Sequence, residues 1–396
     1  MRILFLSALY SSAARPQAGV GNGRIVRAMR PHAALRLVVP VPWYPEIAAR
    51  RSPRLRAERA VPREEIDDDG SAILHPRIAH IPRVGRSLYP ALYAASLART
   101  LRREVDRFRP DAILTAWAYP DGVAAVALGR HLGLPVVMRV MGSDINDYAQ
   151  QALRRPQIAW GVRHAARIIA VSRALADECG TLGAASDRID YVPTGVDRAV
   201  FHPVDRDDAR RQLGLPPVGD ARVVVVPGRL SPEKGVLVFL DAWRQCDPSW
   251  RAVLVGDGPQ RADIERRIAE LGLGDRVQLA GFQPESRMKL YYAAADAACL
   301  PSFEEGWPDV LVESFACGCP WVASDVGGVA DVLALTGAGY LVPPRDPGAL
   351  AARLRDALAR TWDRAAIARA MDPYTLDETA QRYVESCARA ARDRAR

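Results

Sequence analysis

Short apolar runs alternate with longer Ala/Arg/Leu-rich stretches along the whole chain. RILFLSAL (2–9), LRLVVPVPW (35–43), DAILTAW (111–117), PVVMRVM (135–141) and RIIAVS (167–172) stand in the first half. RVVVVPGRL (222–230), AVLVGDG (252–258), VQLAGF (277–282), AACLPS (297–302) and WVASDV (321–326) stand in the second. These runs are continuously apolar and rich in Val, Ile and Leu. That is how strands buried on both faces read, with the stretches between them as the covering helices. The pattern predicts an α/β chain of two doubly wound, Rossmann-like units, each on a parallel sheet. Ligands of such sheets bind beyond the carboxyl ends of the strands, so the site is expected in the cleft between two facing domains.

The segment YVPTGVDRAVFHPVDRDDARRQLGLPPVGD (191–220) interrupts this rhythm with Pro, Gly and Asp and is expected to hold the linker. It divides the chain into a first domain at 1–197 and a second at 198–372. The remainder, 373–396, reads as a basic helix expected to pack back on the first domain. No short-period repeat and no low-complexity tract interrupts either half.

Composition narrows the class. With 396 residues, 49% hydrophobic and 25% charged, the chain can bury two ordinary cores. No apolar run reaches the ~20 residues of a membrane span. MRILFLSAL lacks a small-residue cleavage site, so a cytoplasmic protein, soluble or peripheral on the inner membrane face, is expected. The 6 Cys form no CxxC pair, and Cys317 and Cys319, flanking Gly318, have no partner pair at zinc-ligand spacing. They read as small buried residues of a reducing compartment.

Charge is unevenly placed. Residues 1–200 carry 29 Arg against 18 Asp and Glu, a net of +11, while residues 201–396 carry 25 basic against 28 acidic residues, a net of −3. A basic first half predicts an anionic partner: nucleic acid, an acidic substrate or an anionic lipid surface. Trp43 and Tyr44 followed by Arg50, Arg51, Arg54, Arg56, Arg59 and Arg63 suit a headgroup layer, although an arginine-rich mobile loop would read the same way. Asp67, Asp68 and Asp69 read as a surface acidic run. Only Lys234 and Lys289 are lysines, against 52 Arg. Each lysine position therefore calls for a reason.

One reason is local. VVVVPGRLSPEKGV places Arg229 just past a strand end and Lys234 before a helix, beside Gly235. Two cations next to helix N-terminal amides suit a diphosphate, although a solvated loop pair reads alike. AVLVGDGP and DVGGVAD are glycine turns after strands, each weak alone. Gly19-Val-Gly21-Asn-Gly23 resembles a phosphate cradle, but its third Gly comes too early for a dinucleotide fingerprint, and no acidic residue follows at the required second strand end. That argues against a nicotinamide dehydrogenase.

EEGWPDVLVESFACGCP (304–320) holds Glu305 in a loop after a strand and Glu313 about one turn into a helix. On one helix they would stand ~12 Å apart. A hydrolase pair needs roughly 5–9.5 Å. Two carboxylates contacting different parts of one extended ligand fit better, and two solvated glutamates remain the plain alternative.

Together with AGVGN, MGSDIND, VSRALADEC, YVPTGVDRAVFHP, VQLAGF and GYLVPPRDPGAL, these motifs resemble retaining nucleotide-sugar glycosyltransferases of family 4, which have the GT-B fold. The resemblance covers essentially the whole chain. AWAYPDGVAA, MGSDIN and PVPWYP are most similar to cell-envelope enzymes of teichuronic-acid or exopolysaccharide type. The resemblance implies a nucleotide-diphosphate sugar donor, uridine by family habit, and a glycan or lipid-linked acceptor, with no nucleic acid. It implies no cofactor and no metal, since two cations and helix dipoles can neutralise the leaving group.

The resemblance also implies roles for single residues. Glu305 would contact the donor sugar, Glu313 the ribose, and Arg229 and Lys234 the diphosphate. Gly228 and the amides of Trp307, Asp309, Val310 and Leu311 would line the donor site, Gly281, Phe282 and Gln283 the base, and Gly19 and Gly21 the phosphates. Asp144, Met141 and Tyr119 would stand on the acceptor side. Met141 stands where the family commonly has His, Pro308 where many members have Gly, and Asp331 where Glu is frequent. A nucleotide-sugar epimerase on the same fold, or a non-catalytic basic protein binding membrane or nucleic acid, are the competing readings.

Overall fold

A computed structural model of the chain describes residues 1–11, 15, 19–50, 52–67, 70, 72–79 and 86–395. It divides into two compact units, Met1–Pro193 with Leu376–Arg396, and Thr194–Thr375.

The first unit carries the strands β1 (Arg2–Leu6), β2 (Ala34–Val38), β3 (Val41–Trp43), β4 (Glu64–Ile66), β5 (Ala72–Leu74), β6 (Arg77–Ala79), β7 (Ala112–Ala116), β8 (Val136–Val140), β9 (Arg167–Ala170) and β10 (Ile189–Tyr191). Eight form one sheet in the order β10-β9-β8-β7-β1-β2-β5-β4, and β3 pairs with β6 in a separate ribbon. Every pairing is parallel except β4 with β5. β7, β8 and β9 are buried at every position, which is why they read as unbroken apolar runs. The expected strand 35–43 is two strands. The short β4 and β6 mix Glu or Arg with apolar residues, and β5 is only Ala-Ile-Leu, so none gave such a run.

The helix Leu376–Ala395 belongs to this unit. It places Ala380, Tyr383, Cys387 and Ala390 in the same core as Phe5, Ile25, Leu114 and Val137. Burying that stripe is the usual behaviour of an amphipathic helix; Arg392 and Arg394 stay exposed, while Arg382 and Arg389 are half-buried on Tyr191 O and Asp190.

The second unit is a six-stranded parallel sheet of β11 (Val223–Pro227), β12 (Arg251–Val255), β13 (Val277–Gly281), β14 (Ala297–Leu300), β15 (Trp321–Ser324) and β16 (Gly339–Val342). Their order is β13-β12-β11-β14-β15-β16. The order reverses at β11/β14, where parallel sheets of this type open a crevice beyond their carboxyl ends.

The segment 191–220 is not one long linker. Asp205 caps a helix at Arg206–Leu213 through the Asp208 amide. Arg210, 1% exposed, extends from that helix into the second unit. It donates to Asp296 Oδ2 at 2.7 Å, to Ala294 O at 2.9 Å and to Pro217 O at 2.8 Å. Burial opposes ionisation of Asp296, but the Val223 amide and the nearby arginines hold its carboxyl below the usual range. All six cysteines are buried and unpaired.

Candidate functional site in the second unit

The loops at the carboxyl edge of the second sheet bring the predicted charges together. Lys234 ends a single 3-10 turn, Pro232–Lys234, after β11. Glu305 follows β14. Lys234 Nζ donates to Glu305 Oε1 at 2.6 Å, and the Ser302 hydroxyl donates to the same oxygen at 2.7 Å. The side chain of Glu305 is 8% exposed and that of Lys234 26%. The expectation gave these residues separate contacts on a ligand, and here each is also the other's partner.

Two close backbone approaches hold these loops. A Cβ on Gly235, the residue after Lys234, would overlap the Pro301 carbonyl oxygen, and one on Gly327 would overlap the carbonyl oxygen of Glu305 itself. Both glycines have positive φ, +65° and +51°, which L side chains rarely adopt. The weak DVGGVAD motif thus has a packing reason: its first glycine makes room for the Glu305 backbone. Phe303 N also donates to Glu233 O at 2.7 Å, tying the loop after β14 to the loop after β11.

Arg229 is exposed in that same loop, and its guanidinium makes no hydrogen bond or ion pair with any described residue. Glu233, beside it, accepts from the Ser231 hydroxyl. Burial opposes its ionisation, yet that hydroxyl, its own amide and the charges of Lys234 and Arg229 hold its carboxyl below the ordinary range. Gly228, φ +139°, has open space where a Cβ would stand.

Glu313 lies in the helix Asp309–Ala316, 8% exposed. The buried Tyr292 hydroxyl donates to its Oε2 at 3.2 Å. Burial, then the Glu313 charge, pushes that phenol well above its ordinary pKa, so it stays a donor. The solvated-glutamate alternative therefore holds for neither carboxylate. Of the amides expected to face a ligand, that of Leu311 is instead turned to Pro308 O at 3.0 Å. Trp307 uses its indole N–H on Thr194 O at 2.9 Å, anchoring the loop from which the helix starts. Phe282 is 62% exposed beyond β13, and Gln283 folds back on Ala280 O at 2.7 Å.

In the first unit, Gly19 caps the helix Val20–Met29 with φ +65°, and Gly21 lies within the helix. Asp144 is fully buried and accepts from the amides of Ala118 at 2.8 Å, Met141 at 3.0 Å and Gly142 at 2.8 Å. It ties the loop after β7 to the loop after β8 and offers no free carboxylate, so what it does here is hold the two loops together. Met141 packs against the first-unit core. Tyr119 is buried on the wall of a cavity of about 280 Å³ that Trp117, Asp121, Tyr148 and Arg154 also line. Asp121 accepts from the Ala8 amide at 2.7 Å, and burial pushes its carboxyl up to about 7 against that bond.

The comparisons with known proteins divide at the same place in the chain. A model described as "Glycosyltransferase Family 4" matches residues 42–200, and one described as "Glycosyl transferases group 1" matches residues 205–371. A D-inositol 3-phosphate glycosyltransferase of Frankia alni is 32% identical over 314 residues, 74% of this chain and 75% of that protein. The chain belongs to glycosyltransferase family 4. A putative teichuronic acid biosynthesis glycosyltransferase of Bacillus subtilis is 28% identical over 89% of this chain and 87% of its own length. HepE of Anabaena, solved in complex with UDP, shares the GT-B fold with a TM-score of 0.72 at 22% identity, covering 98% of this chain and 100% of that one.

This family 4 glycosyltransferase also carries groups that the sequence did not single out. Ser302, at the end of AACLPS, and Tyr292 hold Glu305 and Glu313, yet no expected role fell on either. Among the described residues no group of three or more His, Cys, Asp or Glu is placed to hold a metal ion, and no helix is long and apolar enough to cross a membrane. On the basic face, Trp43 is 54% exposed, and Glu46–Arg50 and Pro53–Ala60 are helices rather than loop. Glu46 pairs with Arg50 at 2.7 Å and lies 3.7 Å from Arg59. Arg56 and Arg63 are exposed, while Arg51, the side chain of Arg54, Asp68 and Asp69 lie outside the described residues. Asp67 pairs with Arg30 at 2.8 Å.

Proposed function

We propose that this glycosyltransferase moves a sugar from a nucleotide-diphosphate sugar, a UDP-sugar in preference, to a glycan or lipid-linked acceptor in polysaccharide biosynthesis, with the anomeric configuration retained and without a metal. The observation that carries this reading is the Lys234–Glu305 pair at 2.6 Å beside Arg229, whose guanidinium makes no hydrogen bond or ion pair with a described residue. Two cations at one carboxyl edge can take a diphosphate, and their charge matters most as the leaving group gains negative charge. Glu305, held by Lys234 and Ser302, is positioned for sugar hydroxyls at the reacting carbon. Glu313, held by Tyr292, is positioned for the ribose, and exposed Phe282 for the base. HepE of Anabaena is known with UDP and with UDP-glucose, which supports the donor class.

The acceptor is assigned to the first unit, and the excess positive charge there supports work at the inner face of an anionic membrane. A panel of nucleotide sugars, scored for thermal stabilisation and slow donor hydrolysis with and without chelator, tests the reading. A donor at 100 times its Kd raises stability by about 2.7 kcal/mol. A panel in which no nucleotide sugar stabilises the protein would contradict it.

A further inference from the structure

The cavity beside Tyr119 in the first unit is built around a cation that no described protein group accepts from. Arg154 is 9% exposed. Its guanidinium lies 4.4 Å from the ring centroid of Tyr148 and 5.1 Å from that of Tyr119. Among the described residues it has no hydrogen-bond acceptor and no carboxylate. None of its nitrogens is among the buried unpartnered atoms, so the guanidinium N–H groups that no protein group takes up face the open cavity, with two aromatic rings packed beside them. The five donors of a guanidinium also form a planar fork that matches carboxylate or phosphate oxygens.

The rest of the lining agrees in sign and shape. Arg15 is a second cation, its Nη2 donating to Ala8 O at 3.5 Å. Asp121, the one acid among the described lining residues, accepts from Ser7 and Ala8 and makes no ion pair with Arg154; the charge that acts on it is that of Arg15. Trp117 and Tyr148 meet edge to face at 6.1 Å, and Trp117 holds a positive φ of 88°, sparsely populated for a bulky residue and maintained only where its surroundings demand it. Aromatic faces suit the C–H side of a pyranose. The cavity, about 280 Å³, has room for a single sugar ring, since a water takes about 30 Å³.

We infer that this pocket is the acceptor subsite and that it selects an anionic sugar, with Arg154 gripping a carboxylate or phosphate and Trp117 and Tyr148 packing on the ring. The inference rests on the proposed transfer only in calling the ligand an acceptor; the binding preference stands by itself.

The test is equilibrium binding to the full chain, by calorimetry or ligand-observed NMR, with and without UDP. Methyl β-glucuronide and glucose 1-phosphate are compared with methyl β-glucoside up to tens of millimolar. Expected is a preference for one or both anions over the neutral glycoside. A glucuronide preference marks a uronate pocket and a phosphate preference a sugar-phosphate pocket. Arg154→Gln should lower anion affinity about tenfold or more, the loss of one charge-assisted contact, and leave the neutral glycoside unmoved. Arg154→Lys should restore part of it. Should Arg154→Gln melt early, Trp117→Leu gives a second reading, weakening all three probes. Equal binding of the neutral and anionic probes, no binding of any, or an anion preference that survives Arg154→Gln in a folded protein would overturn the inference. Lys234→Ala, run in parallel, should leave the preference intact. If no UDP-sugar is turned over while the anion preference and its loss in Arg154→Gln stand, the donor reading fails alone.

Discussion

Lys234 and Glu305 share a hydrogen bond of 2.6 Å across two loops separated by 71 residues in sequence. Neither is a free group waiting for a ligand. Glu305 sets where the ammonium sits, and the ammonium sets the orientation of the carboxylate. Ser302 fixes the same oxygen from the other side.

Kinetics should therefore couple the two residues. Lys234→Ala is expected to cost about 10²–10³ in kcat, the scale of one preorganised charge-stabilising group. Glu305→Gln should lower kcat while changing UDP affinity little, and Glu313→Ala should weaken UDP affinity as well. The double variant Lys234→Ala/Glu305→Gln should lose less than the sum of the two, as members of one unit do. Near-normal turnover in Glu305→Gln would remove this pair from the chemistry.

Gly327 offers a subtler probe of the same loop. Gly327→Ala places a methyl against the Glu305 carbonyl oxygen at a φ of +51°. Its stability cost should stay at about 1–3 kcal/mol, the usual range for a strained backbone position. Turnover should fall well beyond what the thermal shift accounts for, because it displaces the carboxylate that the proposed reaction places on the sugar. Gly219→Ala, another positive-φ glycine with open space around it, is the control and should leave kcat unchanged.

Acid stability should report the buried cluster around Asp296. The folded-state pKa of Asp296 is depressed, so its stabilisation is full above the unfolded-state value near ~4 and is lost as pH falls through the lower folded value. Asp296→Asn should lower stability at pH 7, by about 3–5 kcal/mol if stranding Arg210 behaves like breaking other buried pairs. The variant's melting temperature should also fall less steeply between pH 5 and pH 3 than that of the unaltered protein, as followed by calorimetry.

Membrane association is tested by co-sedimentation with anionic and neutral vesicles. Each engaged arginine is worth about 1 kcal/mol. Arg50 and Arg59 are partly occupied by Glu46, so Arg56 and Arg63 are expected to matter more. Binding should need anionic lipid, weaken at high salt and fall when all six arginines from Arg50 to Arg63 become glutamine. Comparable affinity for duplex DNA would favour a nucleic-acid role instead.

The buried parallel strands were legible because a strand covered on both faces must be apolar throughout. Edge strands such as β4 and β6, with one face open, carry no such constraint, and they went unread. In the site, Lys234, Glu305 and Glu313 announced themselves by scarcity or spacing. Their supports did not. Ser302 and Tyr292 are common residues whose value lies in where the sheet order puts them, and nothing in one sequence shows that Tyr292 faces Glu313. Arg154 was hidden for the same reason, one arginine among 52. Asp144 shows the reverse case, a motif residue that works through loop geometry with its carboxylate already occupied.

The most direct test of the proposed reaction is the configuration of the first-formed product. The protein is incubated with an α-linked UDP-sugar that it hydrolyses slowly, in the presence of chelator, and the released sugar is followed by proton NMR before mutarotation. The α-anomer should appear first, formed at an undiminished rate under chelation and lost in Glu305→Gln and Lys234→Ala. The β-anomer appearing first, or release that stops with chelator and returns with a divalent metal, would contradict the account.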